Sequence, residues 1–410
     1  MKAVRLHLSI PRSILVKAQA RFSADAYWSA MAPLRYEDIP APRLRGPHWV
    51  KVATKLSGIC ASDMHAIRLE GSLDSPLAPF VSFPMVLGHE IVGAVTETGA
   101  AVERVRVGDL VTINPMLSCT PRGIEPVCPS CRSGEFSLCY NFARGDLPPG
   151  LLLSGVSGLT GGFAPELVCH EMQCIPVPPE VSLEAAVLTD PIAVTLRSVL
   201  RNPPGPGDTC LVVGCGILGL GAILCLRALH PDARVVAVAK HPFQQEAARR
   251  CGAHEVVAPT PERELFERVA ALTGGTLYRG YIGRPILMGG VHRIYDCIGS
   301  AATIETALRL AECGGRVVVI GVDVPRRVEW SPLWFREVAL VGSMAVGMET
   351  FEETRRHTYE VYLDLVRRGR LRVDGLVTHR FPLDAYVDAL RACAGRGASA
   401  AVKVAFEFPS

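Results

Sequence analysis

The sequence Cys210-Leu-Val-Val-Gly-Cys-Gly-Ile-Leu-Gly219 decides the fold of this chain. An apolar run of strand length ends at Gly214, and the stretch Leu220 to Leu229 that follows is typical of an apolar helix. Between a strand and a helix, such glycines permit a tight turn and let the backbone approach a pyrophosphate at the helix N-terminus. The stretch predicts a dinucleotide-binding loop, and a purely structural glycine turn is the alternative. The residues expected to contact the cofactor are Gly214, Gly216, Ile217, Leu218 and Gly219.

Strands and helices alternate on the C-terminal side of this loop. Strands are predicted at 234–239, 255–258, 295–299, 316–321 and 338–342, and helices at 244–251, 263–273 and 302–311. Such alternation predicts a parallel sheet covered on both faces. The chain before Leu188 is instead β-rich, with short strands separated by Gly, Pro and Asp. In the tail, from about Met348, the sequence pattern predicts helices at 354–368 and 384–393 and a last strand at 400–406.

The bulk composition suits a globular protein of two or three domains. Of the 410 residues, 49% are hydrophobic and 20% charged, and the net charge of +3 is spread without any block of one sign. Nucleic acid and membrane are therefore not expected as partners, and the protein is expected in the cytoplasm. Residues 1–24 are basic and lack acids, as in a transit peptide, but a first strand followed by a solvated loop is the favoured interpretation.

The 14 cysteines favour metal binding or simple burial over disulfides, because no secretory signal is evident. Thiolate and imidazole are preferred zinc ligands, and a catalytic zinc has three protein ligands and an open position. Cys60 and His89, in the stretch Gly58 to Glu90, could supply two of the three.

A second cysteine cluster lies in an irregular stretch rich in Gly and Pro. Four thiolates brought together by short loops suit a closed, structural zinc site, although the first cysteine is set apart by a longer spacing. The four residues are Cys119, Cys128, Cys131 and Cys139.

The strand after the dinucleotide loop ends without the acid that binds the ribose hydroxyls of NAD. Lys240 stands there instead and would suit the 2′-phosphate of NADP. A solvated Lys240 with weak discrimination between the two cofactors is the alternative.

These features together resemble the zinc-dependent medium-chain alcohol dehydrogenases over nearly the whole chain. The matching pieces are Gly58 to His65, Gly88-His89-Glu90, the four-cysteine lobe, Gly162 to Glu166 and the dinucleotide loop. The resemblance implies an α/β protein with a GroES-like irregular β-barrel catalytic domain and a Rossmann domain with a doubly wound parallel sheet. The implied domains are catalytic 1–190 with a zinc lobe at about 115–145, NAD(P)-binding 191–344, and a return to the catalytic domain at 345–410.

The resemblance also implies a ligand set for the catalytic zinc. Cys60 and His89 match the first two ligands, and Asp190 occupies the place of the third, with a helix N-cap as the alternative role. Glu90 matches an acid that lies close to the metal and in some members binds it.

Three further residues match positions with implied roles in catalysis. Asp63 matches a carboxylate that orients the ligand imidazole, Ser62 a hydroxyl that touches the substrate oxygen, and His65 the end of a proton relay. The chain departs from the family at Ala61, where many members carry a basic residue, and in the longer segments Arg12–Ala32, Gly71–Phe83 and Thr120–Val127.

The implied function is reversible hydride transfer between an alcohol, polyol or sugar and NAD(P), with two zinc ions per chain and a slight preference for NADP. The alternatives are an NADP-dependent reductase of activated C=C or C=N bonds, and a catalytically silent family member. A homodimer or homotetramer is expected, with Val338 to Val346 either an interface or a core strand.

Overall fold

The computed structural model describes residues 1–70, 75–321, 323 and 327–409. The chain divides into two compact units. Unit 1 comprises Met1–Asp190, Val346–Arg367 and Val373–Ser410, and unit 2 comprises Pro191–Ala345 and Arg368–Arg372. Among the described residues, no helix is long and apolar enough to span a bilayer.

The strands and helices are numbered along the chain. The strands are β1 (Lys2–Leu6), β2 (Leu34–Asp38), β3 (Trp49–Gly58), β4 (Met85–Val86), β5 (Glu90–Thr98), β6 (Leu110–Ile113), β7 (Glu166–His170), β8 (Cys174–Pro176), β9 (Thr209–Val213), β10 (Arg234–Val238), β11 (Glu255–Val257), β12 (Thr276–Tyr278), β13 (Ile286–Met288), β14 (Val291–Asp296), β15 (Ala311–Val319), β16 (Ala339–Gly342), β17 (Met348–Phe351), β18 (Thr354–His357), β19 (Val377–Pro382) and β20 (Lys403–Glu407). The helices are α1 (Ile10–Gln19), α2 (Ala61–Ile67), α3 (Pro129–Arg132), α4 (Leu183–Val187), α5 (Thr189–Arg201), α6 (Ile217–Leu229), α7 (Pro242–Arg250), α8 (Glu262–Thr273), α9 (Ala301–Leu310), α10 (Ser331–Phe335), α11 (Thr358–Arg367), α12 (Tyr386–Ala394) and α13 (Arg396–Ser399).

Unit 1 is built on a seven-stranded sheet with the order β19-β20-β3-β5-β6-β8, in which β7 also pairs with β3. The strand β3 is central because it pairs antiparallel with β5, β7 and β20, and most of its residues are buried. Its last residue, Gly58, lies opposite Glu90 of β5 on one side and Ala405 of β20 on the other. The C-terminal strand is thereby brought beside the predicted metal ligands.

Unit 2 contains a parallel six-stranded sheet with the order β11-β10-β9-β14-β15-β16. Its apolar strands are buried between helices, as the composition predicted, and the core includes Leu211, Val236, Ile294 and Val317. The chain reverses direction across the sheet between β9 and β14, and ligands of such sheets bind at that point. The predicted fold class is confirmed in both units.

Two segments have a secondary structure other than the one expected from the sequence. The predicted solvated loop after β1 contains α1, which starts with Pro11 in its first turn and packs Val16 against Ala26 and Ala32. The predicted helix from 354 begins only at Thr358, because residues 354–357 form β18.

The turn between β17 and β18 explains why that hairpin was not predicted. Glu352 and Glu353 both have positive φ, 47° and 62°, as the central residues of a type I′ turn require. Glycine or asparagine usually marks such a turn, so two glutamates gave no signal.

The hairpin β12–β13 was also missed. Of the predicted extra loop Gly71–Phe83, residues 71–74 lie outside the described residues, and 78–80 form a short 3-10 turn.

Arg122 organises the long irregular segment that carries the four cysteines. Its side chain is completely buried, and its nitrogen atoms donate to five backbone carbonyls between 2.7 and 3.0 Å away. The acceptors belong to Leu117, Arg144, Leu147, Pro148 and Gly150. A guanidinium has five N–H donors, so this single side chain can satisfy five backbone carbonyls in a segment that has little regular secondary structure.

Replacing Arg122 with methionine should therefore destabilise unit 1 by about 3 kcal/mol or more, because five carbonyls lose their donors. Calorimetry should record a fall in the unfolding midpoint of about 6–12 °C. Arg132→Met, which removes an exposed arginine from the same segment, is the matched control. An equal shift in both variants would contradict the role assigned to Arg122.

Candidate metal centre and cofactor site

Cys60, His89 and Glu90 converge in unit 1. One ligand atom of each lies within 4.8 Å of the others. Cys60 immediately precedes α2, where the chain leaves β3, and His89 and Glu90 stand at the start of β5. Thiolate, imidazole and carboxylate together form a donor set suited to zinc.

Asp63 lies behind this group and fixes its geometry. Its Oδ2 accepts a hydrogen bond from the Cys60 N–H at 2.9 Å, and its Oδ1 accepts one from the Gly88 N–H at 3.2 Å. The same Oδ1 lies 3.6 Å from His89 Nδ1. Because a carboxylate there favours a proton on Nδ1, it leaves the Nε2 lone pair for a metal.

The electrostatics around His89 suit a cation. Burial lowers the pKa of His89, but the charges of Asp63 and Cys60 act in the opposite direction and raise that pKa well above its ordinary value. Those acidic groups would equally favour a metal ion, which must displace the proton in order to bind.

Glu90 is held by a lysine from the other end of the chain. Lys403 Nζ lies 2.6 Å from both carboxylate oxygens of Glu90 and donates to the Ile59 carbonyl at 3.2 Å. Lys403 and Glu90 are only 3% and 1% exposed, so each charge depends on the other for compensation. Gly58 makes room for the pair, because a Cβ there would come within 2.0 Å of Glu90 Oε2.

Asp190 lies outside the three-residue group but near it. It is buried in the first turn of α5, so the N-cap alternative does not describe its position. Burial raises the pKa of Asp190 to about 6, and the charge of Glu90 acts in the same direction. The charges of His89 and Lys403 act in the opposite direction and lower it. Its Oδ1 accepts a hydrogen bond from the Tyr359 hydroxyl.

Ser62 and His65 both lie on α2, three residues apart and hence on one face. The Ser62 hydroxyl lies 3.5 Å from His89 Nε2, on the side of the metal ligands. His65 Nδ1 lies 2.6 Å from Glu70 Oε2 in a partly exposed position. An ionised carboxylate only accepts hydrogen bonds, so Nδ1 carries the proton and Nε2 is the free base of the neutral ring.

The four cysteines of the lobe also come together, including the distantly spaced Cys119. All four are buried, and their sulfurs lie within 4.8 Å of one another. The Sγ of Cys139 is 3.6 Å from that of Cys119 and 4.0 Å from that of Cys128. Four sulfurs at 2.3 Å from a tetrahedral zinc would stand about 3.8 Å apart. Disulfides require about 2 Å, so the separations fit a metal and not a covalent bridge.

The lobe favours a thiolate at one of its cysteines and protonated thiols at two others. Hydrogen bonding from Cys139 lowers the pKa of Cys131 to about 5, and the same contact raises the pKa of Cys139. Asn141 donates from its backbone to Cys139 at 3.3 Å and from its side chain to Cys119 at 3.2 Å. A divalent cation would replace the remaining thiol protons.

The predicted dinucleotide loop lies between β9 and α6. Gly214 has φ of +87°, and a Cβ on Gly219 would come within 1.9 Å of the Gly214 carbonyl, so both positions require glycine. Helix α6 begins at Ile217, after Gly216. Lys240 follows the neighbouring strand β10 and is exposed.

The sequence-based reasoning missed Lys403, Tyr359 and Glu70. A lysine within the apolar run Ala400 to Phe406 is a signal in retrospect, because a buried strand rarely carries an unpaired cation. Tyr359 gave no local signal, since its partner lies 169 residues away in the sequence.

Comparison with known proteins identifies the family. Residues 46–179 match the alcohol dehydrogenase GroES-like domain, and residues 218–365 match the zinc-binding dehydrogenase domain. The chain is 30% identical to the L-idonate 5-dehydrogenase of Vitis vinifera over 82% of its length and 81% of that protein. It is 30% identical to the sorbitol dehydrogenase of Arabidopsis thaliana over 82% of each.

A solved structure agrees with these matches. The alcohol dehydrogenase of the archaeon Aeropyrum pernix is 26% identical and superimposes with a TM-score of 0.74, covering 100% of both chains. The chain therefore belongs to the zinc-dependent medium-chain alcohol dehydrogenase family, and it is an oxidoreductase of that class.

Proposed function

We propose that this chain oxidises a polyol or a related polyhydroxylated alcohol by hydride transfer to NAD(P), reversibly, at the centre around Cys60, His89, Glu90 and Asp190. The observation that carries this proposal is the convergence of Cys60, His89 and Glu90 beside Ser62. The similarity to proteins named L-idonate 5-dehydrogenase and sorbitol dehydrogenase supports the polyhydroxylated class. The comparisons do not favour the C=C or C=N reductase alternative.

The charges around the centre support Asp190 as the third ligand. Glu90 is already neutralised by Lys403, whose ammonium contacts both of its oxygens. Cys60 and Asp190 then supply two negative charges, which balance a Zn²⁺ ion, while His89 binds as a neutral imidazole. Glu90 is close enough to contribute electrostatically without being required as a ligand.

A zinc ion held there would act as a Lewis acid on an alcohol or carbonyl oxygen, and bound NAD(P) would supply the hydride acceptor. Ser62, whose hydroxyl lies beside His89, would accept the hydroxyl proton of the substrate on Oγ while it releases its own proton towards solvent. His65, oriented by Glu70, presents Nε2 as a base that exchanges protons with solvent. Asp63 keeps the His89 ring in one orientation throughout.

The remaining assignments are part of the same proposal. A second, structural zinc would be held by the four lobe cysteines, and Lys240 would lead to a preference for NADP. The domains would follow the predicted boundaries at about residues 190 and 345. A homodimer or homotetramer in the cytoplasm is expected, and the strand β16, at the edge of the described sheet, is the candidate contact.

A substrate panel tests the function directly. Sorbitol, L-idonate, 2,3-butanediol and ethanol should be offered with NAD and with NADP, beside a zinc determination. The polyhydroxylated substrates should give a kcat/KM at least about tenfold above that of ethanol, which lacks the extra hydroxyls available for hydrogen bonding. Failure to oxidise any of the four, together with reduction of an activated C=C bond, would reject the proposal.

Removing one cysteine from each cluster should separate the two metal sites. Cys60→Ser should lower the zinc content from two ions per chain to one and abolish turnover, with little loss of stability. Cys128→Ser should also remove one zinc but should lower the unfolding temperature, because the lobe loses its cross-link. Zinc content is measured by atomic emission and stability by calorimetry.

The exposed Cys313 provides the matched control. Cys313→Ser should keep both ions, full activity and the parent unfolding temperature. A Cys60 or Cys128 variant that retains two zinc ions would remove that residue from its proposed site.

Lys240→Ala should lower kcat/KM for NADP by about tenfold or more, because a charge-assisted contact to the 2′-phosphate is lost. The value for NAD should change little. Initial-rate kinetics with both cofactors measure the ratio, and Arg250→Ala, an exposed arginine on α7, is the control. A parent enzyme that strongly prefers NAD would contradict the proposed role.

A further inference from the structure

The Asp190 carboxylate has a defined partner on α11. The Tyr359 hydroxyl donates a hydrogen bond to Asp190 Oδ1, and Tyr359 is completely buried. We propose that Tyr359 is a positioning residue for the metal centre, whose hydroxyl holds Asp190 Oδ1 and so leaves Oδ2 as the metal donor. The inference rests on the proposed function, in which Asp190 is the third ligand.

The neutral hydroxyl of Tyr359 is better suited to hold Asp190 in place than the nearby ammonium group of Lys403. Lys403 is engaged by both oxygens of Glu90, so its charge is already compensated. A phenol hydroxyl restrains the carboxylate without neutralising it, which preserves the negative charge that a metal requires. Without the Tyr359 hydroxyl, Asp190 Oδ1 would lose this hydrogen bond and the carboxylate would be free to rotate.

Tyr359 itself is held in place. Its backbone N–H donates to His357 Nδ1 at 3.2 Å, and the two rings meet edge to face with centroids 5.1 Å apart. His357 is buried and lies 3.4 Å, Nε2 to Nδ2, from Asn114. His357 also stacks on Phe136 of the cysteine lobe, with centroids 6.2 Å apart. A side chain packed this tightly can fix a ligand within a narrow range of orientations.

The same helix offers a matched control. Tyr362 lies nearly one turn further along α11, is also completely buried, and donates its hydroxyl to the Ala185 carbonyl at 2.8 Å. Replacing either tyrosine with phenylalanine therefore removes one buried phenol hydrogen bond from the same unit. Only Tyr359→Phe changes the restraint on Asp190.

The experiment compares Tyr359→Phe and Tyr362→Phe in the full-length protein. Zinc affinity at the catalytic site is measured by chelator competition, and the ligand field by visible absorption after cobalt substitution. Tyr359→Phe should weaken catalytic-site affinity by about 10–100-fold and alter the cobalt spectrum. Tyr362→Phe should leave both at parent values, while calorimetry should show similar small losses of stability in the two variants. Parent affinity and spectrum in Tyr359→Phe, or equal changes in both variants, would overturn the proposal.

Asp190→Ala separates this inference from the proposed function. If Asp190→Ala leaves affinity and spectrum unchanged, the proposed ligand set is wrong, and the positioning role falls with it. If Asp190→Ala alters both and Tyr359→Phe alters neither, only the positioning role is wrong. In the double variant, loss of the Tyr359 hydroxyl should have no further effect on affinity, because it acts through Asp190. A further loss there would contradict the proposal.

Discussion

The ion pair between Lys403 and Glu90 is the contact on which the metal-binding region depends. Both groups are almost completely removed from water, and Lys403 also donates to the Ile59 carbonyl next to Cys60. Removing one member of such a pair typically costs about 3–5 kcal/mol, because the other charge is left buried and uncompensated. The C-terminal strand β20 therefore completes the candidate site, although it is more than 300 residues from Glu90 in the sequence. It also explains why Gly58 carries no side chain, since the Glu90 carboxylate occupies that space.

The candidate site could be predicted where its residues are close in sequence. Cys60, Asp63 and His89 stand in short motifs, and the lobe cysteines recur at spacings that themselves suggest a metal. Lys403 and Tyr359 could not be assigned in this way, because a single side chain within a strand or helix does not show which residue, 313 or 169 positions away, is its partner. Their roles follow from burial: a lysine or a phenol that is fully buried must find a polar partner.

The fold shows the same division between local and long-range information. The parallel strands β9 and β10 of unit 2 are apolar runs and were located to within one residue. The strands β14 and β15 begin four and five residues before their predicted starts, because polar residues interrupt the apolar pattern there. Helix α1 was taken for a solvated loop because of its basic residues, and only Val16 of its ten residues is buried in the structure. The strand β18 was taken for the first turn of the helix predicted at 354–368, because Glu352 and Glu353 gave no signal of the turn before it. Tertiary pairing decided against the local preference there.

The β17–β18 hairpin connects the cysteine lobe with the helix that carries Tyr359. Met348 at its start donates to the Gly134 carbonyl at 3.0 Å, and His357 at its end stacks on Phe136, so both ends rest on the lobe. The chain then enters α11, whose second residue is Tyr359. A lobe closed by zinc would hold these contacts rigid, whereas four unligated thiols would let the segment between Cys128 and Cys139 move. The four-cysteine cluster is thus joined to Asp190 through the contacts of Phe136, His357 and Tyr359, and a zinc ion bound in the lobe would help to order the candidate metal centre.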